Sequence, residues 1–107
     1  MICVDTSVWI SAFRRSQRIE ARFLHQLLDA DQVGLPAPVR VEILAGSPRG
    51  DLPRLRRYLS ALPVFFPSAK TWERIDEWLD LAMGAGERFG FADLLIGAIA
   101  AENGAAL

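Results

Sequence analysis

The sequence predicts an α/β fold in which a short, mainly parallel sheet of about four strands is flanked by helices. Two observations lead to this fold class. Short apolar segments alternate with longer segments of helical periodicity along the chain, which favours parallel strands connected by helices. The apolar segments also lack a polar side, which suits a sheet covered on both faces. With 107 residues, 51% of them hydrophobic, we expect a single domain over residues 1–107.

Two strands and two helices are predicted in the first third of the chain. Residues 2–5 form a short segment that is apolar up to Asp5, which predicts the first strand. Residues 6–13 are predicted to continue as a helix. A second helix is predicted over residues 16–31, with an apolar face made of Ile19, Phe23, Leu27 and Leu28. The second strand is expected near residues 33–35.

The middle of the chain predicts two further helices. Pro38 suits the first position of a helix and Gly46 suits its end, so the third helix is expected between them. Residues 51–62 predict a fourth helix, whose spacing aligns Leu52, Leu55, Leu59 and Leu62.

The second half of the chain continues the alternation. Residues 63–67 begin and end with proline and predict a third strand, after which Ser68 suits the cap of a long helix. A loop rich in glycine leads to a last helix from residue 91 or 92 to residue 103, and residues 105–107 suit the start of a fourth strand. The apolar face of the long helix is expected to be Trp72, Ile75, Leu79 and Ala82. The aromatic residues expected in the core are Trp9, Phe13, Trp72 and Trp78.

Three acids stand in unusually apolar surroundings. Asp5 ends the first predicted strand, Glu42 falls within the first turn or so of the third helix, and Asp93 opens the last helix. In a parallel sheet the carboxyl ends of the strands and the amino ends of the helices share one edge, where open α/β sheets bind ligands. We therefore expect the three carboxylates to converge there.

Two interpretations of these acids are open. Each carboxylate could serve its own helix, as a cap or by complementing the helix dipole, which is worth about 0.3–1 kcal/mol. Alternatively, three like charges at an edge of low dielectric would repel one another, and a divalent cation would relieve that repulsion. Mg²⁺ and Mn²⁺ prefer oxygen ligands and can activate water and stabilise charge in a phosphoryl displacement.

The segments around the acids resemble a known family. The segments are CVDTSVWI, RVEILAG and FADLLIGAIAAENGAAL. In order and spacing they are similar to the acidic blocks of PIN-domain ribonucleases, most closely the VapC-type toxins of bacterial toxin–antitoxin pairs. The resemblance implies a three-layer α/β/α sandwich and an endoribonuclease that hydrolyses RNA phosphodiester bonds with a water activated by Mg²⁺ or Mn²⁺.

The resemblance also implies roles for individual residues. It assigns the catalytic and metal-binding positions to Asp5, Glu42 and Asp93, and it places supporting hydroxyl groups at Thr6 and Ser7. The family pattern usually continues past its Gly-Ala-Ala-Leu-like strand into a segment with a fourth acid, and this sequence ends at Leu107. Weakened cleavage is therefore expected.

Two alternative functions remain open. A PIN-like module that mainly binds an antitoxin or dimerises would not need the fourth acid. A phosphatase with an aspartyl nucleophile is the other alternative. Such enzymes usually have a second acid two residues after the nucleophile, where this sequence has Ser7.

The expected partners are an RNA substrate, a cognate antitoxin and a second copy of the chain. Residues 1–57 contain nine arginines and six acids, so Arg14, Arg15 and Arg40 are candidates to contact an RNA backbone. Solvated helix faces would explain these arginines equally well. No apolar run approaches the length of a membrane span, and the single Cys3 suits a reducing compartment. We expect a cytoplasmic protein without membrane contact.

Overall fold

The computed structural model describes residues 1–13 and 19–105, and this part of the chain forms a parallel sheet flanked by helices, as predicted. The strands are β1 (Ile2–Cys3), β2 (Val33–Pro36) and β3 (Val64–Phe65). The helices are α1 (Thr6–Phe13), α2 (Ile19–Asp29), α3 (Ala37–Ala45), α4 (Leu52–Leu59), α5 (Ala69–Gly84) and α6 (Phe91–Glu102), with a 3₁₀ turn over Arg49–Asp51. None of the described helices is long and apolar enough to cross a membrane.

The strand β2 lies at the centre of the sheet. It pairs in parallel with β1 on one side and with β3 on the other. All four residues of β2 are buried, which explains why its sequence VGLP carries no polar side chain. Because the three strands run in the same direction, their carboxyl ends and the chain segments that follow them lie at one edge.

The buried side chains form two clusters. The first joins β2 to α1, α2, α3 and α4, and its largest members are Trp9, Leu24, Leu35, Ile43 and Leu59. The second lies between α5 and α6, where Phe65 and Trp78 pack against Ile75, Leu94, Leu95, Ala98 and Ile99. The helix α6 also contributes Ile96 to the first cluster, so it connects the two.

Three predicted helix ends have identifiable physical causes. The helix α2 ends at Asp29 because Asp31 adopts a left-handed conformation with φ of 54°, and the backbone N–H of Gln32 then donates to Leu27 O at 3.0 Å. Gly104, with φ of 61°, closes α6 in the same way. The helix α4 stops at Leu59 rather than residue 62, since the residue before Pro63 is disfavoured in a helix.

Several predicted packing assignments need correction. Trp9 and Ile75 are buried as predicted, but Trp72 is 45% exposed and Leu79 is 36% exposed. The second buried residue of α5 is Thr71, which the predicted face omitted. In α2 the deeply buried residue is Leu24, which the predicted face omitted. Three predictions fall outside what the structure describes: residues 106–107 of the fourth strand, residues 16–18 of the second helix, and the side chains of Phe13, Ile19 and Phe23.

Gly34 lies where β2 meets the ring of Phe65. A Cβ atom at residue 34 would lie 2.7 Å from Phe65 Cζ and 3.1 Å from Met1 Sδ, with Phe65 Cε2 closer still. Carbon atoms do not approach so closely, so any larger residue must displace the Phe65 ring from the second cluster. The central strand therefore requires glycine for packing at this position.

We expect Gly34→Ala to lower the free energy of unfolding by about 1–3 kcal/mol, because overpacking a filled core costs this much. Urea unfolding measures it. Gly50→Ala is the matched control, since a Cβ atom added at residue 50 would meet nothing within 4 Å. The cost should be smaller in a Phe65→Leu background. An equal cost in both backgrounds would show that the Phe65 ring is not the obstacle.

Candidate functional site

Asp5 lies between β1 and α1 and caps the helix. The backbone N–H of Ser7 donates to Asp5 Oδ2 at 3.2 Å, and the Ser7 hydroxyl donates to the same oxygen. The Asp5 carbonyl accepts the first backbone bonds of α1, from Val8 N at 3.1 Å and Trp9 N at 3.4 Å. Asp5 therefore has the helix-capping role that was one of its two interpretations.

Glu42 is joined to the segment that follows Asp5. Thr6 Oγ1 donates to Glu42 Oε1 at 3.0 Å, across 36 residues of sequence. Glu42 is the sixth residue of α3 and so lies in its second turn, later than the sequence placement in the first turn or so. The adjacent residues Thr6 and Ser7 thus hold the carboxylates of Glu42 and Asp5, respectively.

Asp93 is the third residue of α6 and lies beside a different cavity. This cavity has a volume of about 420 Å³, and Asp93 lines it together with Trp78, Leu81, Glu87 and Phe89. Glu42 lines a second cavity, of about 410 Å³, to which α6 contributes Phe91, Ala92 and Leu95. Asp93 and Glu42 therefore belong to two cavities that meet at the first turn of α6.

The hydrogen bond from Thr6 places Glu42 beside the segment that begins with Asp5, whereas no described hydrogen bond joins Asp93 to that segment. Among the described residues, no three carboxylate, imidazole or thiol groups lie close enough together to hold a metal ion. All three acids are exposed, so the edge is not the low-dielectric environment that the sequence suggested. Exposure to water weakens the repulsion between neighbouring carboxylates compared with that of a buried pair.

The donor chemistry of these acids nevertheless fits a hard divalent cation. Ion pairs join Arg54 to Asp51 and Arg74 to Glu102, and among the described side chains no ion pair involves Asp5, Glu42 or Asp93. Mg²⁺ typically uses one or two carboxylates and completes its octahedron with water and substrate phosphate. The Asp5–Glu42 pair meets that requirement, and the exposed Asp93 side chain has solvent on its outer side.

Other candidate residues have less direct positions. Arg40 is half-buried in α3. It lies two residues before Glu42 and therefore about 200° around the helix from it, on nearly the opposite side. Arg14 and Arg15 lie outside the described residues. Burial raises the pKa of the Cys3 thiol, which leaves it protonated and unsuited to act as a nucleophile. Phe91 is exposed, and the sequence patterns did not indicate it as a candidate residue. Its position two residues before Asp93 could have done so.

The comparisons with known proteins agree with this architecture. The family model described as PIN domain matches residues 2–107. One similar solved structure is that of VapBC2 from Rickettsia felis bound to a DNA fragment from their promoter, with a TM-score of 0.79 and 23% sequence identity. The match covers 98% of this chain and 84% of that chain, and it establishes the fold. Among curated proteins, none matches this sequence.

The hydrogen bond from Ser7 N to Asp5 predicts how substitutions at residue 5 affect stability. Asp5→Ala should lower the free energy of unfolding by about 1 kcal/mol, whereas Asp5→Asn should be nearly neutral because asparagine caps helices as well as aspartate does. Thermal or urea unfolding without metal measures both. Glu42→Gln, which removes a charge but no cap, is the control and should shift stability by less than about 0.5 kcal/mol. Equal stability of the two residue-5 variants would refute the capping role.

Proposed function

This chain belongs to the PIN-domain family, and we propose that it is a metal-dependent endoribonuclease, the toxin of a type II toxin–antitoxin pair. The observation that carries the proposal is the hydrogen bond from Thr6 to Glu42. This bond joins Thr6, the residue next to Asp5, to the acid of the helix that follows β2. The result is a pair of exposed carboxylates, neither paired with a described basic side chain, at the edge where α/β sheets bind ligands.

The proposed metal ligands are Asp5, Glu42 and Asp93, with Mg²⁺ or Mn²⁺ as the ion. The chemistry that such an ion supplies is a water of lowered pKa and stabilisation of charge on the phosphoryl oxygens. The Thr6 hydroxyl orients Glu42, and the Ser7 hydroxyl and N–H orient Asp5. Partners of this kind fix the direction of ligand oxygens and strengthen metal binding. Asp93, which lines the neighbouring cavity, would be the third ligand.

The proposed partners are an RNA substrate, an antitoxin and a second copy of the chain. Large apolar side chains remain exposed, and they include Phe66, Leu81 and Phe89. Exposed apolar surface of this extent is typical of protein-binding surfaces. The similar structure is a VapBC2 complex, which supports an antitoxin as one of these partners. The residues proposed to contact the RNA backbone are Arg40, Arg14 and Arg15. The proposed location of the protein is the cytoplasm.

A binding module without catalytic activity is the second candidate. The observation that favours it is the separation of Asp93 from the Asp5–Glu42 pair. A phosphatase with Asp5 as nucleophile is less well supported, since Ser7 stands where such enzymes have an acid and instead hydrogen-bonds to Asp5. Metal-dependent cleavage of RNA distinguishes the nuclease from the binding module.

We expect the chain to cleave a structured RNA in Mn²⁺ under single-turnover conditions. Asp93→Asn and Glu42→Gln should each slow cleavage by about a hundredfold or more, because each removes a proposed ligand of the ion that stabilises charge on the phosphoryl oxygens. Mn²⁺ at about 100 times its dissociation constant should stabilise the parent by about 2.7 kcal/mol and these variants less. Glu73→Gln, an exposed acid of α5, is the matched control. Unchanged cleavage by Asp93→Asn would exclude the proposed site, and absence of cleavage by the parent would favour the binding module.

The Thr6 hydroxyl provides an independent test of ligand positioning. Thr6→Val preserves the shape of the side chain but removes the donor to Glu42, so Mn²⁺ affinity should fall about tenfold to a hundredfold. Thr6→Ser retains the hydroxyl and should bind Mn²⁺ within a few-fold of the parent. Calorimetric titration measures both affinities. If Thr6→Val binds Mn²⁺ as the parent does, the hydrogen bond does not orient a metal ligand.

A further inference from the structure

Two exposed aromatic side chains stack beside the candidate site. The rings of Phe91, at the start of α6, and Trp72, in α5, have centroids 6.3 Å apart and planes inclined by 18°. Phe91 is 67% exposed and Trp72 is 45% exposed, and neither belongs to the two core clusters. Core packing therefore does not explain why these two rings lie nearly parallel at the surface.

Phe91 also lines the cavity that contains Glu42. The described residues around this cavity of about 410 Å³ are apolar except for Glu42, and they include Val41, Pro67 and Leu95. An apolar wall suits the flat ring of a nucleobase. The phosphate groups of the same nucleic acid strand would lie outside the cavity. A volume near the lower end of the range for small-ligand pockets suits one such ring rather than a helix.

We propose that this cavity binds one unpaired nucleobase of an RNA substrate, stacked on Phe91, next to the phosphodiester that is cleaved. This inference rests on the proposed nuclease function, and it assigns Phe91 as a substrate-binding residue and Trp72 as the residue that supports its ring. The base must be unpaired, because bases inside a duplex have no free face for an aromatic side chain. Glu42 belongs to both the cavity and the acidic pair, so the base and the cleaved phosphate belong to neighbouring nucleotides.

Continuity with the acidic edge favours a nucleobase over a protein side chain as the occupant. The cavity shares Glu42 with the proposed metal site, and the nearly parallel rings of Phe91 and Trp72 offer the kind of flat aromatic surface on which an unpaired base stacks. Every base has a π face, so stacking on Phe91 accepts any base, provided that the base is unpaired. The cavity therefore gives the protein a preference for single-stranded segments of RNA. Purines, which have the larger rings, are favoured over pyrimidines.

The test measures binding rather than cleavage. Short single-stranded oligoribonucleotides, each with one abasic site at a different position, are titrated by fluorescence anisotropy in EDTA at low salt. For the parent, one abasic position should weaken binding about fivefold to a hundredfold, the usual effect of losing a stacked base. In Phe91→Ala the same abasic site should have little further effect, because the stacking partner is already absent. Phe91→Leu should retain only part of the effect.

Controls separate stacking from general loss of apolar surface. Met83→Ala removes an exposed apolar side chain of α5 far along the helix from Trp72, and it should leave the full abasic effect. Trp72→Ala should reduce the effect, whereas Trp72→Phe should preserve it. Since Phe91 is mostly exposed, circular dichroism and melting temperature should show a folded Phe91→Ala variant.

The possible outcomes also distinguish this inference from the proposed function. An abasic effect of equal size in the parent and in Phe91→Ala, or no sensitive position in the parent, would overturn the stacking site. So would a change in sedimentation of Phe91→Ala without any change in oligonucleotide affinity, because a second copy would then cover the aromatic pair. Base-dependent binding without metal-dependent cleavage would support the stacking site and refute the nuclease, and cleavage without base dependence would do the reverse.

Discussion

Burial of β2 on both faces is the constraint from which the arrangement of the site follows. A strand of four buried residues must satisfy its backbone N–H and C=O groups by pairing on both sides, which β1 and β3 provide. Parallel neighbours require helical connections, and each connection returns the chain to the same end of the sheet. Asp5 and the start of α3 consequently lie at one edge. The start of α6 lies beside α3 because Phe91 and Ala92 line the same cavity as Glu42.

The structural and chemical roles of the acids are compatible with each other. Asp5 caps α1 through one carboxylate oxygen, and Glu42 accepts a hydrogen bond from Thr6 through one of its own. Each carboxylate retains a second oxygen, which these bonds do not occupy. A carboxylate fixed in this way loses less conformational entropy when it binds a cation than a freely rotating one does. The helix cap is therefore compatible with the proposed role of Asp5 as a metal ligand, and both interpretations of the sequence can apply to the same residue.

Sequence patterns predicted the fold class and most element positions. They succeeded where local chemistry decides the structure, as with Ser68, whose backbone and side chain form a capping box with Thr71. They failed where a choice depends on the partner element. The periodicity of α5 allows either Trp72 or Thr71 to face inward, and only the position of α6 selects Thr71 and exposes Trp72. Sequence also could not show that the acids are water-exposed, because exposure depends on what the rest of the chain leaves uncovered.

The first turn of α6 is where these constraints meet. Phe91 and Asp93 are two residues apart, so they project about 200° from one another around the helix, and each lines a different apolar cavity. The same helix is anchored from behind by Ile96 in the first core cluster and by Leu95 and Ile99 in the second. A rigid helix end can thus present an aromatic ring on one side and a carboxylate on the other without either side chain having to stabilise the fold. Residues that are exposed at such a rigid position carry little of the folding energy, and their chemistry is explained more readily by what they bind than by what they pack against.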